Sequence, residues 1–329
     1  MSHDALLEKK MKKYAEDIQK LKDEIGKAVI GHDHTIEALI RALISNGHVL
    51  LEGVPGVAKT LIVKSFATAC QSKFNRIQFT PDLLPSDILG MTAYDQHKGF
   101  FTIKGPIFAN FVLADEINRA PPKVQSALLE SMAEKQATIG KEIFHLEPPF
   151  FVLATQNPLE NLGTYPLPEA QLDRFLFKLN VGYPSIEEEQ QVLTNNTTTG
   201  NFDRFRIDPV LPKMKIFEMQ RDVHRIYVDK KVERYIVYLI DATRNSKKYN
   251  LRLGRYIRAG CSPRATIGLY IAAKAQALLR GKSFITPSEV KTIAKDVLRH
   301  RIILNYEAQA DNIVMDDVID ELLRYVPIP

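Results

Sequence analysis

Apolar residues recur every three to four positions over residues 4–25, at Leu6, Leu7, Met11, Tyr14, Ile18, Leu21 and Ile25. Lysines and acids fill the gaps in near balance, so the stretch predicts an amphipathic helix with one buried stripe. "TIEALIRALIS" (35–45) predicts a second helix. From His48 the period changes. Short apolar runs, "HVLLE" (48–52), "FNRIQFT" (74–80), "FVLAD" (111–115), "FFVLATQ" (150–156) and "FLFKLNV" (175–181), alternate with helical segments. Mostly apolar strands with helices between them predict an α/β fold around a parallel sheet covered on both faces. Between the third and fourth runs, "KQATIGKEIFHLEPP" reads as a hairpin turning at Gly140-Lys141.

Beyond Gly182-Tyr183-Pro184 the strand signals largely stop. Ser185 with Glu188 forms a capping box, and Thr286-Pro287-Ser288-Glu289 is a second helix start. "TNNTTTGNFDRF" (194–205) is a polar connection between helices. The division expected is therefore an αβα core with its N-terminal helix over residues 1–183, followed by a smaller all-helical domain over 184–329.

Composition narrows the class. Among 329 residues, 45% are hydrophobic and 25% charged, as in ordinary globular proteins. No apolar run approaches the ~20 residues of a membrane span, and the charged N-terminus lacks the apolar core of a signal peptide. Cys70 and Cys261 are too few for a disulfide framework, which points to a reducing cytoplasm. A net charge of +5 does not by itself imply nucleic-acid binding. The run 244–264 holds seven Lys and Arg and no acid; it is read as a surface facing nucleotide and a neighbouring subunit rather than a nucleic-acid stripe. His32-Asp33-His34 is read as a solvated loop, since two histidines two apart on a helix do not share a face.

Chemistry concentrates in "LLEGVPGVAKT" (50–60), close to the phosphate-loop pattern G-x-x-x-x-G-K-[ST]. A turn between strand and helix aims backbone N–H groups at one cluster of oxygens, at the positive end of a helix dipole. The loop comprises Gly53, Val54, Pro55, Gly56, Val57, Ala58, Lys59 and Thr60, with Leu61 following. Lys59 would reach the β- and γ-phosphates, and the Thr60 hydroxyl would hold Mg²⁺. Ala58 replaces the second glycine. It is expected near right-handed helical angles, which alanine adopts without strain.

Asp115 and Glu116 end an apolar strand, where ligands of open α/β sheets gather. Asp115 would orient the ligands of Mg²⁺, and Glu116 would act as general base on the attacking water. Asn157 ends another apolar strand, and its amide could position that water.

The stretches "EGVPGVAKT", "FVLADEINRAPPKVQSALLESMAEKQ", "VLATQNPLENLGTYPLPEAQLDRF" and "CSPRA" together resemble the MoxR family of AAA+ ATPases. The resemblance covers most of residues 25–270, and MoxR-like loops commonly carry the alanine. It implies ATP hydrolysis with Mg²⁺ by a homo-oligomeric, hexameric ring built from an αβα core and a helical lid. Asn157 resembles the first sensor, and Arg264 the second, a lid arginine that reaches the γ-phosphate. Arg174 resembles an arginine finger offered to the neighbouring subunit; a surface salt bridge with Asp173 or Glu169 is the alternative. Val29, Ile30 and Gly31 resemble the stretch that packs on adenine. Residues 89–110 resemble an insertion in the second core helix, and the 136–149 hairpin resembles one before the first sensor; in related machines both face the pore or substrate.

The resemblance also implies chaperone-like remodelling or maturation of a partner complex, with a von Willebrand factor A domain protein as partner. Neither nucleic acid nor membrane insertion is expected. The rival readings are a magnesium-chelatase-like motor subunit, a nucleic-acid-associated AAA+ motor and a non-hydrolysing scaffold.

Overall fold

The structure, a computed structural model, describes residues 3–54, 58–97, 99–157, 163–195 and 202–328. Their strands are β1 (Val49–Gly53), β2 (Phe74–Gln78), β3 (Gly90–Asp95), β4 (Gly99–Lys104), β5 (Phe111–Asp115), β6 (Gln136–Ile139), β7 (Glu142–His145), β8 (Phe151–Gln156), β9 (Phe177–Val181), β10 (Ile257–Ala259) and β11 (Ile303–Leu304). The α-helices of the first part are α1 (His3–Gly26), α2 (Asp33–Ile44), α3 (Lys59–Ala69), α4 (Pro85–Leu89), α5 (Pro122–Glu134) and α6 (Glu169–Leu172). Those of the second are α7 (Ile186–Asn195), α8 (Lys213–Asp222), α9 (Lys230–Arg244), α10 (Pro263–Leu279), α11 (Pro287–Leu298), α12 (Tyr306–Ala310) and α13 (Met315–Tyr325).

The five apolar runs form one parallel sheet in the order β2-β5-β8-β1-β9. Each central strand splits its side chains between two cores. Val49, Leu51, Leu113 and Leu153 join the core with α1, α2 and α3, whereas Leu50, Val112, Val152 and Ala154 join a second core against α5. Burial on both faces is why the central runs lack polar alternation, whereas the edge strands β2 and β9 keep it. The order places β8 between β1, which leads to Lys59, and β5, which ends in the acidic pair.

Met11, Tyr14, Ile18, Leu21 and Ile25 of α1 are buried as the spacing predicts, while Leu6 is exposed. The α1 stripe shares its core with α10 and α11 of the lid. The lid is helical, with one addition that the sequence pattern did not show: β10 and β11 pair as a short antiparallel ribbon. Both expected helix starts are capped. Ser185 and Glu188 exchange backbone–side-chain bonds at 2.8 and 3.2 Å, and Thr286 N–H donates to Glu289 Oε2 at 2.8 Å. Residues 196–201 of the polar connection lie outside the described residues.

Two hairpins leave the core. β6 and β7 turn at Gly140, whose φ of 63° favours glycine. β3 and β4 form a ribbon inside the 89–110 insertion, with Phe100 78% and Tyr94 65% exposed. No helix among the described residues is long and apolar enough to cross a membrane.

Candidate nucleotide site

The expected phosphate loop leaves the C-terminal end of β1 and enters α3 at Lys59. Gly53 is required by close approach: a Cβ there would collide with the Val181 carbonyl of β9. Pro55, Gly56 and Val57 lie outside the described residues. Val54 and Leu61 are half-buried against the core, and Thr60 is half-buried in the first turn of α3.

Ala58 departs from expectation. It caps α3 with φ 54° and ψ 19°, a left-handed conformation, instead of the right-handed angles expected for it. Its carbonyl already accepts the Ile62 N–H at 2.9 Å, so Ala58 opens the hydrogen-bond ladder of α3. For an L-residue that conformation costs about 1–2 kcal/mol. The missing glycine is therefore a strained position and not a neutral one.

Lys59 Nζ donates to the Gly53 carbonyl at 2.6 Å, folded back over its own loop. Burial holds its pKa below the ordinary lysine value, against the opposing pull of the Asp115 and Glu116 carboxylates. The cation and both acids therefore face one site.

The acidic pair is held from two neighbouring strands. Thr155 of β8, 1% exposed, donates to Asp115 Oδ1 at 2.6 Å and accepts the Glu116 N–H at 2.8 Å. On the other side, Arg76 of β2 donates from Nε and Nη2 to Asp115 Oδ2 at 3.0 and 2.6 Å. Gln78 donates to Glu116 Oε2 at 2.8 Å, and Arg119 lies 3.1 Å from the same oxygen. Glu116 itself has φ 57° and ψ 48°, a strained conformation of the sort concentrated at functional sites. Asn157 is buried just beyond β8, the strand that lies between β1 and β5.

Sequence reading missed Thr155, Arg76 and Gln78. The signal was present: Thr155 is a hydroxyl inside an apolar strand, and Arg76 and Gln78 alternate around buried Ile77. What could not be read was the strand order that sets them against residues 115 and 116.

Thr60 and Asp115 offer hard oxygen donors suited to Mg²⁺, which usually takes few protein ligands and brings waters and phosphates with it. No cluster of three or more His, Cys, Asp or Glu that could cage a metal occurs among the described residues. Val29 is buried, Ile30 half-buried, and Gly31 turns with φ 71° beneath the Glu188 carboxylate at the start of α7.

Arg174 and Arg264 lie elsewhere. Together they line a cavity of about 320 Å³ with Gly47 and His48, which precede β1. The loop leaves the other end of that strand, so a full strand separates them from the phosphate loop of their own chain. The salt-bridge alternative for Arg174 does not match: Glu169 pairs with Arg258 and Asp173 with Arg301, while Arg174 Nη1 donates to the Leu129 carbonyl at 3.0 Å. The basic run is also internally engaged, with Arg244 on the Cys261 carbonyl and Lys248 on Asp241.

The profile of the ATPase family associated with various cellular activities (AAA) matches residues 48–177, and that of the AAA lid domain matches 250–322. Chaperone MoxR1 of Mycobacterium tuberculosis is 46% identical over 308 residues, covering 93% of this chain and 81% of that one. The chain belongs to the MoxR family of AAA+ ATPases. YeaC of Bacillus subtilis is 42% identical over 96% of this chain and 97% of its own, and MoxR of Methylorubrum extorquens 30% identical over 93% of each. A crystal structure from Cytophaga hutchinsonii superposes with a TM-score of 0.91 at 46% identity, covering 98% of both chains. An MCM homologue from Methanopyrus kandleri, at 15% identity and a TM-score of 0.59, shares the fold alone. As a MoxR-family member this chain is an ATPase, which sets aside the non-hydrolysing scaffold.

Proposed function

We propose that the chain hydrolyses ATP as a subunit of a homo-oligomeric, hexameric ring, with the work of hydrolysis spent on remodelling a partner protein. The observation that carries this is the placement of Arg174 and Arg264 at the N-terminal edge of β1, away from Lys59 and the acidic pair. Two exposed guanidinium groups at one site suit the charge that develops on a transferring phosphoryl group. The phosphates they serve belong to the next subunit, so a complete site needs two chains.

Within one chain, Lys59 binds and orients the β- and γ-phosphates, after leaving the Gly53 carbonyl. Bound Mg²⁺, held by Thr60 and Asp115, would neutralise phosphate charge. Glu116 takes a proton from water as its oxygen bonds to the γ-phosphorus; the bond from phosphorus to the β–γ bridging oxygen breaks, and ADP carries that electron pair away. Asn157 holds the water in line, and Val29, Ile30 and Gly31 pack on the adenine.

A remodelling role is supported by the name of the Mycobacterium tuberculosis relative and by the exposed aromatic ribbon of β3 and β4, which suits a client or a von Willebrand factor A domain partner. The two free, buried cysteines accord with work in the cytoplasm.

Mixed rings test the proposal. Arg174→Ala subunits retain a pocket but no finger, and Glu116→Gln subunits retain a finger but no base. Each alone is expected to be inactive, whereas mixtures recover hydrolysis, and wild-type specific activity rises with protein concentration. Inactive mixtures in which sizing shows mixed rings would overturn the assignment of Arg174.

A further inference from the structure

Arg301, just beyond α11, is 7% exposed and carries one of the most heavily committed guanidinium groups in the chain. Nε donates to Asp173 Oδ1 at 2.7 Å. Nη2 donates to the carbonyls of Asp173 and Phe175, at 3.2 and 2.6 Å. Nη1 donates to the carbonyls of Leu176, at 3.0 Å, and Val297. All five guanidinium N–H donors are used. Three of the acceptors are backbone carbonyls flanking Arg174, so one lid side chain grips the core segment on both sides of it.

The second oxygen of Asp173 continues the chain of contacts. It accepts the Ser262 hydroxyl at 2.7 Å, and Ser262 Oγ in turn accepts the Arg264 N–H at 3.1 Å as the cap of α10. Arg301 lines the same cavity as Arg174 and Arg264. His300 adds a 3.0 Å contact to the Phe175 carbonyl. A buried charge whose donors are all matched has one low-energy arrangement, and its partners move with it.

We propose that Arg301, through Asp173 and Ser262, is a positioning residue that locks Arg174 and Arg264 into one rigid unit across the core–lid seam. It touches no phosphate itself. Both cations are then presented to the neighbouring site at a fixed separation. The inference rests on Arg174 acting on the next subunit.

The test uses full-length Arg301→Lys, which keeps the charge but cannot span five acceptors, and Ser262→Ala, which cuts the link from Asp173 to α10 together with that helix's cap. Arg301→Lys is expected to lower kcat at least tenfold and Ser262→Ala severalfold. ATP affinity, measured with a fluorescent nucleotide, should stay within twofold, because each variant's own pocket is intact. Mixed one-to-one with Glu116→Gln, Arg301→Lys should recover up to about a quarter of wild-type activity, the share of sites pairing a sound pocket with a sound neighbour.

A parallel mixture of Arg174→Ala with Glu116→Gln separates the two ideas. If that control recovers and the Arg301→Lys mixture does not, Arg301 is a general structural residue and the proposal is overturned. If the control also fails, the trans reading fails and takes this proposal with it. Should Arg301→Lys not fold, Ser262→Ala decides: a wild-type kcat would overturn the lock, and a reduced kcat restored by mixing supports it.

Discussion

The Thr155 hydroxyl donates to Asp115 Oδ1 at 2.6 Å while accepting the backbone N–H of Glu116 at 2.8 Å, so one buried group fixes both members of the acidic pair. Without it, Glu116 would lose the bond that holds its left-handed backbone against β8. Thr155→Val keeps the shape and removes the hydroxyl, leaving a buried N–H and a carboxylate oxygen short of partners at a cost of about 1–3 kcal/mol. Phosphate release should fall at least roughly tenfold while ATP binding persists. A wild-type rate in the folded variant would show that the hydroxyl does not position the acids.

Glu116→Gln and Lys59→Ala separate chemistry from binding. The amide cannot take a proton from water, so Glu116→Gln should abolish phosphate release and leave nucleotide affinity near wild type. Lys59→Ala removes the phosphate contact and should weaken binding itself. Equal loss of affinity in both variants would refute the division of roles.

The left-handed Ala58 predicts a gain from glycine. Ala58→Gly relieves a steric cost of about 1–2 kcal/mol and gives part of it back as greater freedom of the unfolded chain, about 0.4–1 kcal/mol. Denaturant titration should show a net stabilisation of about 0.5–1 kcal/mol. Ala58→Val, β-branched at positive φ, should lose stability. A destabilised glycine variant would contradict the left-handed geometry.

His48 predicts an acid-sensitive fold. It is buried between the Met132 carbonyl and the Val152 N–H, and burial lowers its pKa to about 4. The unfolded chain binds this proton near pH 6.5 and the folded chain only near 4, so stability is full above that window and drains away as pH falls through it. The loss attributable to His48 is roughly 3 kcal/mol by pH 4. His300, also depressed by burial, adds a loss of the same sign. Denaturant midpoints between pH 7 and 4 should fall steeply in wild type and less steeply in His48→Asn. Equal slopes would exclude His48 as a cause.

Local pattern was enough for the parallel strands, the α1 stripe, both capping boxes, the β6–β7 turn and the placing of Asp115 and Glu116 at the end of a strand. Each depends on residues within a few positions of one another: side-chain period, a cap three residues away, a glycine at a turn. Tertiary structure alone decided what faces what. The order β2-β5-β8-β1-β9 brings Arg76, Gln78 and Thr155 to the acids from about 40 residues away in sequence. Lid packing sets Arg301 on Asp173 across 128 positions and gathers Arg174 with Arg264 away from the loop. Ala58 was also out of reach of local reading, because an alanine ahead of a helix is expected at right-handed angles and only the structure shows it left-handed.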